Sequence, residues 1–124
     1  MTTVRNLIGL GVPGGTAQAM CGIPTTAATA AGNSQGTALL LPSDFVVFTT
    51  VAASTGTILP PSPAVGAGDW LTVVNHGANT LSVYPPTGGK IANGTTNAAF
   101  SVAATKTANF MCIDGTSYAA SLSA

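Results

Sequence analysis

Asp69-Trp70-Leu71-Thr72-Val73-Val74-Asn75, then His76-Gly77-Ala78-Asn79, then Thr80-Leu81-Ser82-Val83-Tyr84 is the most informative stretch of the chain. Both outer runs are rich in β-branched and aromatic residues, and both end in turn formers. The pattern predicts two strands joined by a four-residue loop. In a hairpin of that kind Val74 faces Leu81 and Thr72 faces Val83, with Leu71 opposite Tyr84 and Val73 opposite Ser82. The face carrying Val74, Leu81 and Val83 is the expected core face, together with Phe48 and Phe110.

Working outward, Thr107–Ile113 and Thr116–Ser121 flank Asp114-Gly115, a type I′ hairpin signal. That turn pairs Met111 with Tyr118 and Phe110 with Ala119. Upstream, Thr37–Leu41 stops at Pro42, and Phe45–Val51 reads as a strand buried on both faces or central to a sheet. Thr57–Leu59 is closed by Pro60-Pro61, whose rings cannot donate to a ladder. Lys90-Ile91 and Ala98–Ala103 add two short extended pieces on either side of Asn93-Gly94. About eight short strands at regular spacing predict an all-β fold, an antiparallel β-sandwich of jelly-roll-like form, over residues 36–124.

Residues 1–35 read differently. Gly and Pro interrupt them closely, and only Thr16–Cys21 could form a short helix, capped by Thr16 and ended by Gly22. This predicts an extended N-terminal arm. Its apolar residues Leu7, Ile8, Leu10, Val12, Met20 and Ile23 cannot be buried locally by an amphipathic helix, so they are expected to contact a partner. Arg5 is the one charged anchor, expected to meet a carboxylate there.

The charge count bounds the function. Only six of 124 residues are charged, three basic and three acidic, and all three acids are Asp. An ordinary globular domain carries roughly 25%. With a net charge of zero there is no basic patch to neutralise phosphates, which argues against nucleic-acid binding. No apolar run approaches the ~18 residues of a membrane helix, and the first ten residues lack the apolar core of a secretory signal, so the chain is expected to stay where it is made. A hydrophobic content of 46% and a mean hydropathy of +0.47 argue against disorder. A surface so poor in charge favours association, and an obligate assembly subunit is the expectation. A monomer solvated by Thr, Ser and Asn is the alternative.

No reaction centre is legible, and no enzyme activity, metal or cofactor is expected. His76 is the only histidine and sits in a turn with no second ligand or acid beside it. Cys21 and Cys112 are far apart in sequence; Cys112 reads as a small buried hydrophobe in a strand. Asp44, Asp69 and Asp114 each read as turn residues. The glycines from Gly9 to Gly14 lack the strand-then-helix context of a dinucleotide site, and Gly89-Lys90 is followed by Ile91 rather than Ser or Thr. Trp70, Tyr84, Phe45, Phe48, Phe100, Phe110 and Tyr118 all fall on predicted strands and are expected to fill the core, although a carbohydrate-stacking surface would show the same pattern.

The run Gly68–Pro86, followed by Gly88–Gly94 and the closing hairpin through Tyr118, resembles a small β domain of tailed-bacteriophage and prophage structural proteins. Thr49-Thr50-Val51 and Gly56–Pro60 extend that likeness over about residues 34–121. The resemblance implies a virion component assembled in the host cytoplasm. Small free-standing members resemble capsid decoration (cement) proteins, which bind the major capsid protein and form homotrimers on the shell. It supplies no catalytic residues. A tail, fibre or neck component and a carbohydrate-binding β-sandwich module are the alternative expectations.

Overall fold

The computed structural model describes residues 25–61, 65–114 and 116–123. Its elements are all strands: β1 (Thr25–Thr29), β2 (Leu39–Leu40), β3 (Phe45–Thr50), β4 (Gly56–Ile58), β5 (Trp70–Asn75), β6 (Leu81–Tyr84), β7 (Lys90–Ile91), β8 (Phe100–Val102), β9 (Thr107–Cys112) and β10 (Ser117–Leu122). The fold is all-β, with no helix among the described residues. The expected helix at Thr16–Cys21 lies outside them.

The strands form two sheets, one of six in the order β1-β3-β5-β9-β10-β7 and one of four in the order β2-β4-β6-β8. From β1 to β9 the chain alternates between the sheets at every connection; β9 and β10 alone are consecutive neighbours in one sheet. Alternation makes β1, β3 and β5 parallel, and likewise β2, β4 and β6. Among the strand pairs, antiparallel pairing is confined to β5–β9, β9–β10 and β6–β8, with one further antiparallel bridge between Ala31 and Gly56. The expectation of an antiparallel fold is therefore corrected to two mixed sheets, and about eight strands become ten.

The expected hairpin over 69–84 does not form. β5 pairs with β3 and β9, whereas β6 belongs to the other sheet, between β4 and β8. The loop between them is held away from a hairpin by contacts with other parts of the chain. His76 N–H donates to Phe48 O at 2.9 Å, and Asn79 Nδ2 to Val51 O at 2.8 Å. Gly77 packs so closely that an added Cβ would lie 2.6 Å from the Val51 side chain.

The closing hairpin does form, one residue out of the expected register: Cys112 faces Tyr118, Met111 faces Ala119 and Phe110 faces Ala120. The cause is the Asp114 carboxylate, which accepts the N–H groups of Thr116 and Ser117 and closes a three-residue loop instead of a two-residue one. A one-residue slip moves side chains to the other face. It places Tyr118 on the core side with Cys112.

β1 also changes the domain reading. Residues 25–35, assigned above to the arm, are tied to the β domain. β1 is hydrogen-bonded beside β3, Ala28 and Ala30 are buried, and Ala31 N–H donates to Gly56 O at 3.1 Å.

One hydrophobic cluster receives side chains from both sheets. Val46, Phe48, Leu71, Val73, Phe110 and Tyr118 come from the six-stranded sheet; Leu81, Val83 and Val102 come from the four-stranded one. Phe110 of β9 meets Phe100 of β8 edge to face, with centroids 5.7 Å apart and planes at 83°. Of the five expected core residues, Val74 is buried but lies outside this cluster.

Candidate functional site

The expected contact residues Arg5, Leu7, Ile8, Leu10, Val12, Met20 and Ile23 all lie outside the described residues, as does Cys21. The residues singled out for chemistry are spread apart. His76 is exposed after β5, Cys112 is buried on the core side of β9, and no group of three or more His, Cys, Asp or Glu among the described residues could hold a metal ion.

A different feature comes together on the outer face of the six-stranded sheet. Because Leu71, Val73, Ala108 and Phe110 point into the core, Trp70, Thr72, Asn109 and Met111 point out. Trp70 and Met111 are cross-strand partners. The Thr72 hydroxyl donates to Asn109 Oδ1 at 2.8 Å beside them. On β3, Phe45 faces Thr72 on the same side. Trp70 is 61% exposed, Phe45 44% and Ile113, just past β9, 54%. None of the outward positions on β3, β5, β9 and β10 carries a charge. The outer face of these four strands thus combines large exposed apolar side chains with no charge.

The expectation that all seven aromatics fill the core is thus corrected. Phe48, Phe110 and Tyr118 do so and Phe100 packs against them, while Phe45 and Trp70 stand outside. The signal was present as alternation: once Leu71 and Val73 are the inward pair, Trp70 must face out. A core face through Val74 would put Trp70 inward instead.

Charges gather at the ends of this face. Asp44 precedes β3, Asp69 precedes β5, and Asp114 follows β9, which runs antiparallel to β5. The three acids therefore share one end of the sheet. Hydrogen bonds from the Ser117 and Thr116 backbones hold the Asp114 carboxyl below its usual range. Lys90 lies at this end too, on β7 at the far edge beside Ser117. Lys106, just before β9, and His76, just after β5, share the opposite end; Asn75 N–H donates to Lys106 O at 2.9 Å there.

The other sheet has a narrower outer face, where Leu40, Ile58 and Tyr84 lie in register. Tyr84 reaches across it to donate to Asn33 O at 3.3 Å, and an added Cβ at Gly56 would run into Ser82 O, with the Tyr84 ring next at 3.0 Å. No family model, curated protein or solved structure matches the chain.

Proposed function

We propose that this chain is a structural subunit of a bacteriophage virion, a capsid decoration protein that docks on the major capsid protein through the outer face of its six-stranded sheet and has no catalytic role. The observation that carries the reading is the uncharged face bearing Trp70, Phe45 and Ile113, set on a chain with only six charges. A surface of that kind is an aggregation hazard in a free monomer, and burial against another protein removes it. The two sheets, with one apolar cluster between them, are read as the layers of a sandwich that presents this face outward. The arm residues Arg5, Leu7, Ile8, Leu10, Val12, Met20 and Ile23 are proposed as a second set of shell contacts, and three copies as the number assembled on the shell.

Purified chain added to shells lacking it tests the proposal. The expected result is saturable binding at hundreds of copies per particle, weakened at least tenfold by Trp70→Lys. A handful of copies per particle points to a tail, fibre or neck position instead. Binding to a glycan array that Trp70→Lys abolishes, with no binding to shells, supports the carbohydrate-binding alternative.

A further inference from the structure

We infer that, before docking, the outer face of the six-stranded sheet is covered by a second copy of this chain, related by a two-fold axis that lies in the sheet plane and runs across the strands. The inference rests on reading this face as the assembly surface, and it assigns what occupies the face in the free protein.

Two observations select the occupant. The first is the absence of charge. A face with no charged outward residue on β3, β5, β9 or β10 meets its own copy with no like-charge contact in the middle. The second is the arrangement of charge at the ends. Two sheets can meet face to face about an in-plane two-fold axis in two ways. An axis along the strands keeps strand direction and reverses strand order, so the end carrying Asp44, Asp69 and Asp114 lies over the same acidic end of the second copy. An axis across the strands reverses direction while keeping each strand over its own mate. It lays the acidic end of one copy over the Lys106 end of the other, twice per pair. Since Lys106 begins β9 and Asp114 follows it, these two residues are brought opposite each other across the contact. Lys90, on the edge strand β7 at the acidic end, is laid over the opposite end of the mate's β7 and so away from the mate's Lys90. Only the second arrangement is electrostatically self-complementary.

Six strands about 4.8 Å apart and about 20 Å long give a face of roughly 500 Å². A pair covers roughly 1,000 Å² in total, at the lower limit for a specific interface, so the pair is expected to be reversible and exchangeable for the shell.

Sedimentation of the full chain without shells, from about micromolar to about hundred-micromolar concentration, tests this. The expected mass is that of a dimer at the upper end, falling to monomer on dilution. Trp70 is the only tryptophan, so its fluorescence should shift to the red over the same dilution. Trp70→Lys and Phe45→Lys should each be monomeric throughout, with the circular dichroism of the parent confirming the fold. Lys106→Glu should weaken the pair about tenfold at low salt and less at high salt. A monomer at every concentration overturns the proposal. So does a trimer, or a dimer that none of these folded variants weakens. These outcomes are independent of whether the chain binds shells.

Discussion

Asn75 is fully buried at the end of β5, and each of its side-chain polar atoms is engaged. Its Nδ2 donates to Asn79 O and to Val102 O of the other sheet, both at 2.9 Å, and its Oδ1 accepts from Gly77 N–H at 2.9 Å. Asn75→Ala removes all three bonds, of which the one to Val102 O is buried and the other two part-buried, and a buried group left unsatisfied costs about 1–3 kcal/mol. Urea denaturation is expected to show a loss of about 1–3 kcal/mol. Phe110 has no exposed surface and lies between the sheets; Phe110→Ala should cost about 3–5 kcal/mol by the same measurement. Tyr118 is equally buried, and its hydroxyl donates to Pro60 O at 2.7 Å. Burial foremost, with the nearby Cys112 and Asp69, pushes its phenol well above the usual value of 10.0. The folded chain therefore holds this proton where the unfolded chain releases it. The stabilisation is complete below about pH 10 and falls as pH rises beyond that. An alkaline titration should show one phenol ionising only as the circular dichroism of the fold is lost.

At the level of elements, β1 and the closing hairpin carry the corrections. β1 runs parallel beside β3 and buries Ala28, while Ala30 N–H donates to Thr50 O just past it. A chain starting at Gly36 loses this strand and uncovers the β3 edge. It is expected to be less stable, on the order of 3 kcal/mol, than one starting at Thr25, as compared by urea midpoints. Equal midpoints would show that β1 is dispensable. In the closing hairpin, one carboxylate sets the loop length, and that length puts Tyr118 inside.

For the whole molecule, the alternation of strands between two sheets makes most pairings distant in sequence. Leu39 meets Thr57 and Phe45 meets Thr72, each after a strand has been laid in the opposite sheet. Loop-closure entropy must be met before such parallel contacts form. Stopped-flow refolding from urea is expected to be slow, on the order of milliseconds to seconds. A microsecond phase accounting for the full amplitude would contradict this topology.

Strand positions were legible in the sequence because β-branched and aromatic runs such as Phe45–Val51, which follows Pro42-Ser43-Asp44, and Trp70–Asn75, which lies between Gly68-Asp69 and His76-Gly77, are bounded by turn formers whose backbone chemistry acts locally. The near-absence of charge was equally legible, and with it the expectation of association. Which strand lies beside which was not. His76–Asn79 is as compatible with a hairpin as with a crossing, and the choice falls to contacts from Phe48, Val51 and Val102, remote in the chain. The exposed face follows from the same choice. The alternation in Trp70-Leu71-Thr72-Val73 offers two faces, and only the packing of Leu71 and Val73 against a second sheet turns Trp70 outward. Local propensity determines that these residues extend. Burial, which is non-local, determines which side of each strand the solvent or a partner sees.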